Sequence, residues 1–369
     1  MGFDGQGPSD HARDARHERA AGALLGLAAG DAAGLPAQFH RRARSEWARA
    51  AGWRLSAALD EQRVSRPLLP FTLGIGDDIP LSPTDDAETA AVAALVLLEE
   101  PRHDSAALFA GWRKRMSDDV WTGVAERSAI INSARGLTPP ATGNDNPVHY
   151  SDSAVPAAVS IGLYYAGDPA KAAEVARRYA EITHAEDGVW AAQAMAVAIA
   201  SLVGGAHLSD ALQAAAGAIP EGSWTARNLA RAAHVRESAR SAFDAVPGLV
   251  EQLSPAVYSH GGVAAETLPT AFVLAELADG DLATGLGSAA LVARQSDSMP
   301  AMVGALCGAA SGAAAVPDTW RRHVDKIAGV LVPDLKGLSL TALAGRLLDA
   351  PDADSSPRPG QRPVDVHGP

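Results

Sequence analysis

The segment SPTDDAE at 82–88 places three hard oxygen donors in succession, Thr84, Asp85 and Asp86. It can be interpreted as a helix start, with Ser82 as the N-cap, a proline at the first helical position and acids in the first turn. The positive end of the helix dipole stabilises such acids. A cap needs only one oxygen, however, and consecutive carboxylate and hydroxyl oxygens are the kind of ligand that Mg²⁺ or Mn²⁺ takes. The segment is therefore a helix cap or part of a metal site.

Three other segments combine polar side chains with an adjoining helical pattern. An Ala/Gly-rich stretch at 22–39 contains Asp31 directly after a glycine. The polar residues 151–153 run into an apolar stretch, and Asp297 and Ser298 stand just ahead of a stretch with a proline in its first turn. Because long loops in a compact helical protein often line a site, these segments are candidates for chemistry.

The elements that must position these residues are predicted to be helices. The chain has 369 residues, is rich in alanine and glycine, and contains only 5% aromatic residues. Strict apolar–polar alternation is scarce, which favours closely packed helices over a sheet. We predict an all-α fold, a compact multi-helix single domain over 16–349. The Pro-, Gly- and charge-rich segments 1–15 and 350–369 are predicted to be disordered tails.

Helical patterns predict helices near 17–30, 86–100, 104–116, 121–135, 154–165, 169–182, 188–203, 207–217, 224–242, 262–278, 281–294, 300–313 and 318–330.

Charge and cysteine content limit the class of partner. The formal net charge of −12 argues against a nucleic-acid partner, because no basic stripe answers a phosphate backbone. Cys307 is the only cysteine, which excludes a disulfide framework and a thiolate zinc site, and we expect it to be a buried, inert thiol. The N-terminal segment lacks the apolar centre of a signal peptide, and the longest apolar run is too short to span a membrane. We expect a soluble cytoplasmic protein without a membrane partner.

Taken in order, the motifs resemble those of the ADP-ribosylglycohydrolase family. The pattern GxxxGDALGxPxE is similar to 26–38, TDDT to 84–87 and DTDT to 295–298. Thr183 and His184 match a Thr-His pair, and the closing helix pattern matches Gly262, Glu266, Pro269 and Ala271. The resemblance extends over about 18–330. It implies an all-α glycohydrolase in which two divalent ions hold a ribose diol and a water attacks the anomeric carbon.

The resemblance also assigns roles to residues of the two metal sites. The first ion would be bound by Thr84, Asp85, Asp86 and Asp297, and a carboxylate of Asp85 or Asp86 is our candidate for the general base. The second ion would share Asp297 and take the hydroxyl of Ser298.

Two residues at the second ion depart from the family pattern. Gln38 and Gln295 stand where the family has acids, so both changes remove a negative charge and keep a carbonyl oxygen. This loss is large even at an effective dielectric constant of about 20. We therefore predict one tightly bound Mg²⁺ or Mn²⁺ ion and a second site that is empty or weak.

The substrate side departs as well. The candidate substrate contacts Ser151, Asp152 and Ser153 form one short segment. Within it, Asp152 stands where the family has an amide, and its negative charge repels a phosphate. Farther along the chain, Ala157 stands where the family has an arginine. The expected ligand is accordingly an ADP-ribose-like molecule or a smaller nucleotide or riboside.

Three single residues are further candidates for substrate contacts, each with a structural alternative. His184 could contact a phosphate or ribose, or be a solvated histidine at a helix end. Asp31 could cap a helix or hydrogen-bond toward a ligand. Gly262 could bring its backbone to a ligand, or simply turn the chain before a helix.

Three functional hypotheses remain from the sequence. The first is metal-assisted hydrolysis of an N- or O-ribosidic bond by an enzyme of altered specificity. The second is a catalytically degenerate family member that binds an ADP-ribose-like or nucleotide ligand without turnover, since two acids of the site are missing. The third is a helical scaffold in which the acids are only caps.

Overall fold

A computed structural model describes residues 8–33, 82–118, 120, 122–253, 262–292, 295 and 297–350. Gln38 lies outside these residues, as do 1–7 and 351–369 of the predicted tails. In the described part, regular structure consists of helices, and the only β-type pairings are two isolated bridges, Ser151 with Val263 and Lys326 with Ser339. The predicted all-α fold is confirmed.

The described α-helices are α1 (Pro8–Ala33), α2 (Asp85–Glu99), α3 (Ser105–Arg115), α4 (Val124–Ala134), α5 (Ala141–Asn144), α6 (Val155–Tyr164), α7 (Pro169–Ala180), α8 (Asp187–Gly204), α9 (Leu208–Gly217), α10 (Trp224–Ser238), α11 (Ala242–Leu253), α12 (Ala264–Leu277), α13 (Leu282–Ala289), α14 (Ser298–Ser311), α15 (Asp318–Val324) and α16 (Leu340–Leu348).

Most of the predicted helices are present, but the bounds of several differ and the short helix α5 was not predicted. Helix α1 begins at Pro8, inside the segment predicted to be a tail. The predicted helix 224–242 ends at Ser238, and a new helix, α11, follows although it contains Pro247, a residue that removes a helical hydrogen bond. The helix predicted for 318–330 ends at Val324. Helix α16 was not predicted, and it packs against α1.

A row of glycines sets the closest helix pair, α1 and α14. A Cβ atom built on Gly26 would lie 2.0 Å from the carbonyl oxygen of Gly304, and one built on Gly22 would lie 2.1 Å from that of Gly308. Only glycine allows two backbones to approach this closely. The small residues around Cys307 thus have the expected packing role. Cys307 itself is fully buried, and burial raises the pKa of its thiol to about 12, as expected of an inert thiol.

Helix α8 is the central helix of the bundle and contacts α6, α7 and α9. It is long and apolar enough to cross a membrane, but 78% of its apolar window is buried inside the protein. A helix buried to this extent by its neighbours has the character of a core helix.

Candidate functional site

The starts of several helices meet at one cavity of about 150 Å³. Helices α2, α4 and α14 begin at its wall, and the turns that precede α6 and α12 complete it. The lining residues are Asp85, Asp86, Thr89, Gly123, Val124, Ala125, Glu126, Val148, Ser151, Asp152, Ser153, Gly262, Asp297, Ser298 and Leu331. The structure therefore brings together Asp85, Asp86, the 151–153 turn, Gly262, Asp297 and Ser298, which the sequence singled out.

The start of α2 is capped from another helix. Thr84 occupies the N-cap position, but its side chain makes no capping hydrogen bond, and the interpretation of Ser82 as the N-cap is wrong because α2 begins only at Asp85. Asp31, at the end of α1, accepts hydrogen bonds from the N–H groups of Thr84 (2.7 Å) and Ala87 (3.1 Å) and from the Thr84 hydroxyl (2.5 Å). Asp31 is completely buried and does not line the cavity. Its role is to hold the acidic turn in place.

Because Asp31 supplies the cap, the two acids that follow Thr84 are not needed for it. Both line the cavity, and Asp86 is 3% exposed. The Oδ2 atom of Asp86 has no hydrogen-bond partner within the described part of the chain. Burial raises the pKa of Asp86 well above its usual value, and the charges of Asp85, Asp31, Asp297 and Asp152 raise it further. A buried carboxylate among other acids is a poor cap and a good ligand for a cation.

Asp297 and Ser298 reach the cavity at the start of α14. Asp297 occupies the N-cap position without a side-chain capping bond, and Ser298 is the first helical residue. The negative charge of Asp297 raises the pKa of both Asp86 and Asp152, so Asp297 interacts with both carboxyl groups. Gln295 is buried nearby in the chain but is not part of the cavity lining.

The 151–153 turn is fixed on both sides. The N–H of Asp152 donates to the carbonyl oxygen of Gly262 (2.9 Å), and the N–H of Ala264 donates to that of Tyr150 (3.1 Å). Asp152 is 3% exposed, and its Oδ2 atom has no hydrogen-bond partner among the described residues. Burial, followed by the charge of Asp297, raises the pKa of Asp152 to about 7, while a hydrogen bond from Thr267 lowers it.

His184 lies behind this turn, not in the cavity lining. Its Nε2 atom is 2.8 Å from the Ser151 hydroxyl and 3.3 Å from the Ser153 hydroxyl, and its Nδ1 atom is 2.7 Å from the Thr183 hydroxyl. The residue is 0% exposed, so the alternative of a solvated histidine is wrong. Burial lowers its pKa to about 3, and the imidazole is neutral near pH 7. His184 positions the turn through two serine hydroxyls.

Gly262 faces Asp152 across the narrow part of the wall. Its φ of +74° lies in the left-handed region, and a Cβ atom at this position would be 2.9 Å from Asp152 Oδ1. The residue is therefore both the turn before α12 and a point of close approach to a cavity carboxylate.

Two buried acids were not predicted from the sequence. Glu126, in the first turn of α4, lines the cavity and accepts a hydrogen bond from the Ser153 hydroxyl (2.8 Å). Glu88, in the first turn of α2, accepts the N–H groups of Val330, Leu331 and Val332 at 2.5, 2.7 and 2.8 Å. Burial raises the pKa of both. The only available signal was their position in a first turn, which is equally typical of capping acids.

The donor set can be compared with what a divalent ion requires. Among the described residues, no three His, Cys, Asp or Glu side chains converge tightly enough to form a metal site as they stand. The chemistry of the donors nevertheless fits a hard cation, because carboxylate oxygens surround one cavity. Two of these oxygens, on Asp86 and Asp152, are buried and have no hydrogen-bond partner among the residues that the structure describes. Buried carboxylates this close to one another are stabilised by a counter-charge.

Comparisons with known proteins agree with the fold and the motifs. The ADP-ribosylglycohydrolase family model matches residues 12–357. A solved structure described as "ADP-ribosylglycohydrolase-related protein complex" is similar with a TM-score of 0.57 and 22% identity, over 91% of this chain and 98% of that chain. At this identity the likeness concerns the fold. No curated protein matches the chain.

Proposed function

The chain belongs to the ADP-ribosylglycohydrolase family, and we propose that it hydrolyses an N- or O-ribosidic bond with the help of one Mg²⁺ or Mn²⁺ ion. The proposed substrate is an ADP-ribose-like molecule or a smaller nucleotide or riboside. The observation that carries this proposal is the convergence of Asp85, Asp86, Asp152 and Asp297 on one cavity, from two helix starts and one turn.

The ion would be held by the acids of two helix starts. Asp85 and Asp86 come from α2 and Asp297 comes from α14, which the glycine contacts hold close to α1. The hydroxyls of Thr84 and Ser298 are further donors. The Thr84 hydroxyl is held in place by the hydrogen bond that it donates to Asp31 (2.5 Å). When bound, the ion would supply Lewis-acid polarisation of the ribose hydroxyls and of a water.

The Asp85–Asp86 pair supplies the general base. A base must lie within reach of the attacking water, and both carboxylates line the cavity that would hold it. The pair accepts the proton of the attacking water, and the remaining carboxylates stabilise the positive charge that develops at the anomeric carbon. Since the cavity excludes bulk solvent on the Asp86 side, these charges act with little screening.

The size and charge of the cavity favour a smaller substrate than ADP-ribose. Its volume of about 150 Å³ is below the roughly 300–1,000 Å³ of common ligand sites, and a ribosyl unit is the part of the substrate that it fits. Asp152 lies where a phosphate would be repelled. A riboside with its phosphates outside this cavity, or without them, satisfies both observations.

A substrate panel with one matched pair of variants tests the proposal. The full-length protein is incubated with Mg²⁺ or Mn²⁺ and with NAD, ADP-ribosyl-arginine, nucleotides and nucleosides, and release of ribose or base is measured. We expect turnover of at least one ribosidic compound, and a loss of about 10²–10⁴-fold in Asp86→Asn, the range expected for a general base. Asp210→Asn is the control, because Asp210 is an exposed first-turn acid of α9 outside the cavity.

The same panel separates the enzyme from a binding protein. A ligand that raises the unfolding temperature without being cleaved, across every compound and both metals, supports the degenerate family member that binds without turnover. Equal turnover in Asp86→Asn and Asp210→Asn would contradict the proposed base.

A further inference from the structure

We propose that Asp152 is a ligand of the divalent ion, together with Asp86 and Asp297. This residue stands where the family has an amide that faces the substrate, and it adds a negative charge to the cavity of a chain in which two other family acids have become Gln38 and Gln295. The inference rests on the proposed metal dependence of the site. In this proposal Asp152 helps to hold the cation. The family's amide at the same position would instead contact a phosphate of the substrate.

The backbone presents Asp152 to the cavity in a fixed orientation. Its N–H is bonded to the carbonyl oxygen of Gly262, and its own carbonyl oxygen accepts the N–H of Val155 at 2.9 Å. The serines on either side are held by His184, a neutral ring that adds no charge to the site. Contacts from two elements that are far apart in the sequence therefore fix the backbone around Asp152. Such a fixed position is the preorganisation that a metal ligand needs.

One oxygen of the Asp152 side chain faces Gly262, and the other has no hydrogen-bond partner among the described residues. Oδ1 is the atom nearest to Gly262, where the absence of a Cβ leaves room for it. Oδ2 is buried and has no hydrogen-bond partner within the described residues. A buried carboxylate oxygen without a donor is costly, and a catalytic role, a bound water or a bound ion accounts for such an atom in a native protein.

The same condition recurs across the cavity at Asp86. Its Oδ2 atom is also buried without a hydrogen-bond partner in the described part, and its charge interacts with both Asp152 and Asp297. The three acids come from separate elements and line one small cavity, so a single cation lying between them would neutralise all three. Hard carboxylate oxygens on several sides of a cavity suit Mn²⁺ or Mg²⁺ better than a softer ion.

Glu126 shows what a non-ligand acid of this cavity looks like. It lines the same wall and is buried, but its Oε1 atom accepts the Ser153 hydroxyl and its carboxylate folds back toward the start of its own helix, with Oε2 only 2.8 Å from where a Cβ on Gly123 would lie. Both of its oxygens are thus directed at the protein. This makes Glu126→Gln a matched control for the removal of one negative charge from the cavity.

Mn²⁺ binding to the metal-free full chain, followed by electron paramagnetic resonance and by titration calorimetry, tests the inference without any substrate. We expect about one tightly bound Mn²⁺ in the wild type, a Kd that is at least about tenfold weaker in Asp152→Asn and in Asp86→Asn, and a change of less than about threefold in Glu126→Gln. Asp152→Ser, with a smaller side chain, is a second variant should the amide perturb folding, and far-ultraviolet circular dichroism verifies the fold of each.

Weakened Mn²⁺ binding in Asp86→Asn with an unchanged Kd in Asp152→Asn and Asp152→Ser would overturn the role of Asp152 and leave the proposed function intact. Equal weakening in Asp152→Asn and Glu126→Gln would also overturn it, because the effect would then come from the general field of the cavity. If the wild type binds no Mn²⁺, both this inference and the metal dependence of the proposed function fail.

Discussion

Asp86 and Glu88 lie two residues apart in the first turn of α2, and both are buried acids with raised pKa values. Their surroundings differ in kind. Glu88 receives three backbone N–H groups from the segment 330–332 and so anchors a distant loop. Asp86 has a carboxylate oxygen without a hydrogen-bond partner in the described residues and four acids as neighbours. Glu88 stabilises the fold, and Asp86 is left for the proposed chemistry.

Asp31 and Asp152 repeat this division at other helix ends. Asp31 accepts three hydrogen bonds from the start of α2, whereas one oxygen of Asp152 accepts none from the described protein. Burial alone therefore does not identify a functional acid. The number of hydrogen-bond donors around each carboxylate separates a structural acid from a functional one. It also predicts opposite effects on stability when the charge is removed.

Removal of a structural acid should have the largest effect on stability. Glu88→Ala leaves three buried N–H groups without an acceptor, so we expect a loss of about 3–5 kcal/mol in the free energy of unfolding. Urea denaturation measures it. In Asp86→Ala, tested without metal, the loss should be much smaller, and equal losses in the two variants would remove the distinction between the two acids.

The pH dependence of stability should show the strain at Asp152. Its pKa is about 7 in the folded protein against an ordinary value of 3.8, so its protonated form stabilises the fold below about pH 4 and this contribution is lost as the pH rises through 7. In the metal-free protein, Asp152→Asn should therefore gain stability relative to the wild type between pH 4 and pH 8, on the order of 4 kcal/mol, since one pKa unit is worth about 1.4 kcal/mol. A constant difference between wild type and variant over this range, measured by denaturant titration at each pH, would contradict the raised pKa.

Binding of a divalent ion should offset the repulsion between the buried carboxylates and so stabilise the protein. With free Mn²⁺ at about ten times its Kd, we expect the free energy of unfolding of the wild type to rise by about 1.4 kcal/mol. Glu126→Gln should respond like the wild type, and Asp86→Asn should respond far less. Equal Mn²⁺ responses in all three proteins, measured by thermal unfolding at several Mn²⁺ concentrations, would show that the ion binds elsewhere.

Restoring the family's acids should have the smallest effect on stability but should change the number of ions. The double variant Gln38→Glu with Gln295→Asp is expected to bind a second Mn²⁺, as counted by inductively coupled plasma analysis after gel filtration. The effect requires both substitutions, because one carboxylate added to a single site leaves the second ion weakly held. Unchanged metal content in the double variant would count against a lost second ion.

The fold was largely predictable from the sequence because helix periodicity and alanine content carry it. Helices α2, α8 and α14 are close to their predicted bounds. The pattern did not predict α11, which contains a proline, or the early end of α15. Beyond Val324 the chain passes through a segment, 330–332, that is held by Glu88 from α2, and such a long-range hydrogen bond leaves no local signal.

Part of the membership of the candidate site was predictable, but the roles of its members were not. Asp85, Asp86, Asp297 and Ser298 do share one cavity. A sequence does not show which acid is surrounded by N–H donors, so the structure was needed to decide between the two roles considered for Asp31, a cap or a ligand contact. These contacts join residues more than fifty positions apart, and they are decided by tertiary packing.

Other members of the site depend on contacts of the same long-range kind. His184 faces serines of a turn some thirty residues away, and Glu126 reaches the same turn from α4. The Thr183–His184 pair singled out His184 in the sequence but did not show its role, and Glu126 is not distinguished by its neighbours in the chain. Their places behind and within the cavity wall follow from how α4, α6 and the turn at 151–153 are packed together.

The position of a bound cation is the most direct test of the whole account. Crystals grown with Mn²⁺ and measured at an X-ray energy that gives anomalous scattering from manganese should show one strong peak inside the cavity, within coordination distance of carboxylate oxygens of Asp86 and Asp297. A cavity without an anomalous peak, or a peak bound only by side chains outside it, would contradict the account.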